Sequence, residues 1–211
     1  MKKVFFVFCF VNYHFLQAAI PTSTSSFDKS WQTVNNQSAS METRWAAVIN
    51  SIQLAQADDF KKINHLAEDK EWYIRNAVLV GLDQSGSDMV YDIAKKLITD
   101  KSLVIRSAAA DILMRLNNDD IKKIFSTEIE KKYNYSGSNS LWIRAQMMEH
   151  LAKNPNQTEK SFFIKYLHDN DSQLAFISTK ALSKLTQVRF EGDSNDKIVK
   201  QWKNYARNQK W

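Results

Sequence analysis

The sequence predicts an all-α chain whose helical hairpins stack into a solenoid. Three observations carry this reading. A segment recurs: Asp69 to Leu82 reads DKEWYIRNAVLVGL, Asp100 to Leu113 reads DKSLVIRSAAADIL, Trp142 to Leu151 reads WIRAQMMEHL, and a weaker copy runs from Leu174 to Leu182. Self-similarity at this period marks units that cannot bury a core alone and must stack. A shorter amphipathic run precedes each copy. Finally, 4 Gly and 2 Pro in 211 residues leave little material for the tight turns of an all-β fold.

The chain opens on a different pattern. Lys2-Lys3 is basic, Val4 to Val11 is unbroken apolar sequence, and Ala18-Ala19 is small. These are the three parts of a secretory signal peptide over residues 1–19, with the mature start expected between residues 19 and 21 and a periplasmic or secreted destination. The apolar run is about half of the ~20 residues that a membrane span needs, so no stable span is expected. Cys9, the only cysteine, lies inside that run, so a processed chain would carry no thiol chemistry. Residues 20–40 are dominated by Ser, Thr, Asn and Gln and read as a polar linker. Within it Phe27, Trp31 and Val34 have helical spacing, enough for a short docking turn.

The repeat domain is expected over 41–208, with capping helices at its ends. Met41, Trp45, Val48, Ile49 and Ile52 form the apolar stripe of a first capping helix. Four short runs follow: Asp59–Leu66, Met89–Leu97, Ile121–Ile129 and Phe162–Leu167. Asp58, Asp88, Asp119 and Thr158 stand where an N-terminal cap is expected. Leu82, Leu113, Leu151 and Leu182 lie 31, 38 and 31 residues apart. The longer interval places an insertion near Lys131 to Ser140, where Ser, Asn and Gly favour a loop. Ile198 to Tyr205 supplies a closing helix.

The pattern Leu-x-x-Asp-x-x-x-x-Ile-Arg-x-Ala-x-x-x-Leu resembles the short bacterial form of the HEAT repeat. Leu66, Asp69, Ile74, Arg75, Ala77 and Leu82 match it, as do Leu97, Asp100, Ile105, Arg106, Ala108 and Leu113. The third copy keeps Ile143, Arg144 and Leu151 but carries Gln146 at the small position; the fourth has Ala175 in place of Arg. The resemblance implies a right-handed α-solenoid. It also implies a structural ladder of Asp69, Arg75, Asp100, Arg106, Arg144 and Asp169 that stitches neighbouring units. Arg144 has Ser138 six residues before it, and Asp169 has Ala175 six residues after it. These complementary gaps predict that Arg144 pairs with Asp169 or Asp100. A free arginine row would instead capture carboxylates or phosphates.

The net charge of +6 falls to +4 without Lys2 and Lys3. Nucleic acid is disfavoured, because the cationic ladder of aligned second-helix positions Gln84, Arg115, Lys153 and Lys184 stands beside a second one, Val80, Asp111, Glu149 and Lys180, that is mixed and mostly acidic, so no clean basic stripe forms. No metal-ligand spacing, nucleophile elbow or phosphate loop occurs. His65, His150 and His168 stand outside any motif, so neither enzyme activity, cofactor nor metal is expected. The expected function is a scaffold or adaptor that binds another protein through the solenoid surface. The partner-binding candidates are Met114, Arg115, Met148, Lys153, Phe176 and Lys184, with Phe176, Met114 and Met148 as an apolar centre. The alternative is an envelope polymer or anionic ligand held by Arg115, Lys153 and Lys184.

Overall fold

The computed structural model describes residues 25–116, 118 and 120–211. The signal-peptide reading over 1–19 therefore lies outside the described residues. Among those residues the chain is all-helical except for one small hairpin. The helices are α1 (Ser26–Asn35), α2 (Met41–Leu54), α3 (Phe60–Leu66), α4 (Trp72–Gln84), α5 (Met89–Leu97) and α6 (Leu103–Leu116). There follow α7 (Ile121–Glu128), strands β1 (Tyr135–Ser136) and β2 (Asn139–Ser140), then α8 (Trp142–Lys153), α9 (Lys160–Leu167), α10 (Ser172–Thr186) and α11 (Asn195–Asn208).

The segment read as a polar linker is different in its described part. Ser26–Asn35 is a helix, and Phe27, Ser30 and Val34 are buried on α2. The buried Phe27 and Val34, with the half-buried Trp31 packed against the core, outweigh the polar composition: each large apolar side chain contributes about 1.5–3 kcal/mol when buried. Ser25 caps the helix through the Asp28 amide, and Ser30 Oγ donates to the Ala47 carbonyl at 2.9 Å. α1 therefore packs on α2 as a helix pair, one pair earlier than the recurring motif begins.

The longer helices α2, α4, α6, α8 and α10 pack side by side in chain order, and α3, α5, α7 and α9 each pack on the long helix that follows. Where α4 meets α2, Gly81 leaves room for the neighbouring backbone: a Cβ there would stand 2.6 Å from Ile52 Cδ1. One buried apolar cluster runs from Phe27 to Ala206. Ile74, Ile105, Ile143 and Leu174, the apolar residues of the recurring motif, are all fully buried. At the C-terminal end α11 packs on α10 and α9, with Phe190 edge-on to Trp202 at 5.2 Å and Tyr205 at 5.7 Å.

The short helices begin with different chemistry from that expected. Asp58 and Thr158 lie in single 3₁₀ turns before α3 and α9, and the Asp88 side chain caps nothing. Asp119 lies outside the described residues. At α9 the cap is reciprocal. Asn156 Oδ1 accepts from the Glu159 amide at 3.2 Å, and the Glu159 carboxylate accepts from the Asn156 amide at 2.8 Å. The insertion near 131–140 is the β1–β2 hairpin, with Tyr135 opposite Ser140. Gly137 turns it at φ +62°, a backbone that costs glycine little.

Candidate functional site

Two features were candidates for function: the arginine row at the start of the long helices, and the face of those helices farther along. The arginines come first. Arg75, Arg106 and Arg144 are 3%, 2% and 1% exposed. Burial of a guanidinium requires oxygens for its donors, because an unpaired buried charge costs several kcal/mol.

Each arginine reaches two places. Arg75 Nη1 donates to the Asp69 carbonyl at 2.7 Å, in the turn of its own helix pair. Its Nε and Nη2 donate to the two Asp100 carboxylate oxygens at 2.6 and 2.7 Å, in the next turn along the chain. Arg106 repeats the first contact on the Asp100 carbonyl at 2.7 Å. Arg144 Nη2 donates to Asp169 Oδ2 at 3.0 Å, and its Nε to the Ile129 carbonyl at 3.0 Å. Each arginine thus bonds a side chain of the neighbouring turn (Asp100, Asn134 or Asp169) and at least one main-chain carbonyl on its own side, and Arg106 adds the Tyr133 carbonyl of the neighbouring turn. The six-residue spacing within a turn does not produce an ion pair: Asp69 turns its carboxylate to the Glu71 amide at 2.8 Å.

Two members of this row were invisible in the motif. Arg44 lies 31 residues before Arg75 and donates to the Val34 carbonyl at 2.9 Å and to Tyr73 Oη at 2.6 Å. The same 31-residue step could have found it. Asn134 is fully buried and accepts from Arg106 Nε at 2.9 Å. It stands ahead of the hairpin, so counting back six residues from Arg144 reaches Ser138 instead. The hairpin itself lays the Tyr135 ring 4.2 Å from the Arg144 guanidinium carbon. A polar cleft of about 800 Å³ opens beside it, lined by Tyr135, Ser138, Arg144, His168 and Asp169. Burial works against the charge of Arg144, and the Asp169 hydrogen bond and charge outweigh it, so its pKa is raised. All three of its guanidinium nitrogens are bonded within the protein, Nη1 donating to Ser140 Oγ.

The second feature is a groove of about 740 Å³ across α6, α8 and α10. It brings together four of the six partner-binding candidates: Met114, Arg115, Lys153 and Lys184. Lys180, Glu149 and His150 join them. Met148 requires correction. It is fully buried, so it belongs to the core and cannot form the centre of a surface patch with Met114 and Phe176. Its place on the helix faces α6 and α10 packing, and position along a stripe does not separate core from rim there. Phe176 is half-buried, lies under Lys180 Nζ at 4.9 Å, and lines a smaller adjoining pocket of about 360 Å³ shared by Lys180 and Lys184.

The cations of the groove are not equivalent. Arg115 is held by Asp83 at 2.6 Å. Lys184 Nζ donates to the Ala152 and Lys153 carbonyls at 3.0 and 2.7 Å, where it satisfies the C-terminal end of α8. Among the described residues Lys153, Lys180 and Arg189 take part in no ion pair. Burial lowers the pKa of His150, and the charges of Lys153 and Lys122 lower it further.

His65 and His168 are exposed on other elements, and among the described residues no three His, Cys, Asp or Glu side chains gather as metal ligands. No described helix is long and apolar enough to cross a membrane. The chain matches no protein-family model, and no curated protein matches it.

Proposed function

We propose that the helix pairs form an α-solenoid of HEAT-like repeats that serves as an exported scaffold, binding another protein through the layer of long helices. The solenoid reading rests on the 31-residue step and on the ordered packing of α2, α4, α6, α8 and α10. Export rests on Lys2-Lys3, Val4 to Val11 and Ala18-Ala19 alone.

The observation that carries the binding reading is the groove across α6, α8 and α10. It combines apolar walls from Met114 and Ile177 with exposed lysines. Mixed apolar and charged lining suits a protein surface better than a simple polyanion. The anionic-polymer alternative loses two of its three residues to internal contacts, since Arg115 and Lys184 are already engaged.

Site-specific photo-crosslinking in native extract tests this. A crosslinker at Lys153 or Lys180 is expected to capture a protein, and one at Lys96 or Lys123 on the short helices is not. Adducts only from the short helices, or a polysaccharide adduct from the groove, would overturn the reading.

A further inference from the structure

The groove across α6, α8 and α10 continues past α10. Lys180 and Lys184 line both the larger pocket and the adjoining one, which ends at Arg189, Phe190 and Ile198 beside α11. The two pockets flank α10 and adjoin at the Lys180 and Lys184 side chains, and together they form a channel that runs from α6 to the C-terminal turn. Its floor is apolar: Met114, Phe176 and Phe190 are half-buried and packed on the core. Its rim is positive, because Lys153, Lys180 and Arg189 are exposed and, among the described residues, unpaired by any carboxylate. The excess is felt locally: after burial, it is the charge of Lys153 and Lys122 that lowers the proton affinity of His150.

We infer that this channel binds an extended segment of a protein partner in which carboxylate side chains alternate with apolar ones. The inference rests on the protein-binding reading above and specifies the chemistry of the partner. An extended strand points successive side chains to opposite sides, so apolar residues face the floor while carboxylates point outward, within reach of the long exposed Lys153 and Lys180 side chains. Packed helices stand ~8–10 Å apart, so α6 to α10 spans roughly 20 Å, which about six extended residues cross. Unpaired cations along that path attract the segment at long range and hold its register. A nucleic-acid strand suits the channel less well. Glu149 and Glu191 interrupt the cationic rim, and an apolar floor gives phosphates nothing to bind.

The test uses the full chain and four labelled probes in fluorescence anisotropy: a Glu/Leu-alternating peptide of about seven residues, its Gln/Leu and Glu/Ser counterparts, and a single-stranded oligonucleotide. The Glu/Leu peptide is expected to bind at least ~10-fold more tightly than each of the other three. Its affinity should fall as salt shortens the screening length from about 10 Å at 0.1 M to about 3 Å at 1 M. K153E/K180E should weaken it ~10-fold or more with an unchanged melting temperature, since both side chains are exposed. K153Q/K180Q serves if charge reversal disturbs folding and should give a smaller loss in the same direction.

Equal binding of the Glu/Leu and Gln/Leu peptides, or full affinity in both lysine variants, overturns the inference. So does a Glu/Ser peptide or an oligonucleotide that binds as well as the Glu/Leu probe. If a protein crosslinks in the groove while the Glu/Leu and Gln/Leu peptides bind alike, the scaffold reading stands and only the acidic partner falls. If neither adduct nor peptide binding occurs, both fall.

Discussion

Arg106 and Arg144 begin successive long helices and are almost equally buried, yet they are held differently. Arg144 meets a carboxylate, Asp169, and its pKa is raised. Arg106 touches only neutral oxygens: Asn134 Oδ1 at 2.9 Å, the Tyr133 carbonyl at 2.7 Å, and the Asp100 and Lys101 carbonyls at 2.7 and 3.2 Å. Burial lowers its pKa, and Tyr133, Asp100 and Glu128 only partly oppose this. One counter-charge is relayed to it: the Tyr133 ring lies 5.1 Å from the guanidinium and the Tyr133 hydroxyl donates to Glu128. Placing a buried guanidinium therefore takes correctly sited oxygens, and neutralising it is a separate task that a neighbour can perform at one remove.

The largest expected effect falls where both tasks rest on one side chain. Asp100 gives both carboxylate oxygens to Arg75 and also accepts from the Ser102 amide at 2.7 Å. Asp100→Ala strands a buried charge and a turn amide, so a loss of about 3–5 kcal/mol is expected by chemical denaturation. Asp169→Ala also strands a turn amide, that of Asp171 at 2.8 Å, but removes only one of several Arg144 contacts from a carboxylate that is 20% exposed, and should cost about 1–3 kcal/mol. Equal losses would break the comparison, because they would mean that the shared oxygens of Arg144 do not matter. Arg144→Ala adds a check: unchanged stability with lost partner binding would make it a recognition residue.

The contrast also explains what could be read from the sequence. Apolar periodicity located α3 to α10, since the buried stripe is a local property of each helix. Position in the stack is not local. Met148 looks like Met114 by spacing, yet only packing between neighbouring helices decides that one is core and the other lines a groove. Gln146 looks like a defect at a small position, but its amide reaches α6, donating to the Ser107 carbonyl at 3.2 Å and to Asp111 at 2.5 Å. Asn134 escaped because the hairpin displaces it from the six-residue count. Spacing places Lys180 in a ladder but not in the groove, and Arg189 lies past the last recurring helix, where no repeat position points to it.

Asn134 offers a sharper cut. Its amide nitrogen donates to the Glu128 carbonyl at 2.8 Å while its oxygen accepts from Arg106. An aspartate could serve the arginine but not the carbonyl, which explains a neutral side chain at this place. Asn134→Asp should therefore destabilise by about 1–3 kcal/mol despite gaining an ion pair, because a lone carbonyl then faces a carboxylate. The loss should shrink at low pH, where a protonated carboxyl donates again. A more stable variant at neutral pH would show that charge, and not oxygen placement, limits this site.

The smallest effect comes from a cation site with no oxygens provided. The His150 ring packs edge-on to Phe125 at 5.3 Å, with Lys153 and Lys122 as its charged neighbours. Burial first, and those lysines second, lower its pKa from 6.5, so the folded chain holds it neutral. The unfolded chain then binds more protons as pH falls below 6.5. Stability from this residue is full above that value and is lost as pH drops through the lower folded pKa. His150→Gln should flatten the corresponding part of the urea midpoint against pH, leaving the steeper carboxylate-driven loss at lower pH. A midpoint that instead rises on acidification in the parent and not in the variant would mean that the imidazolium finds an acceptor, and the difference between held and unheld cations would fail at its simplest case.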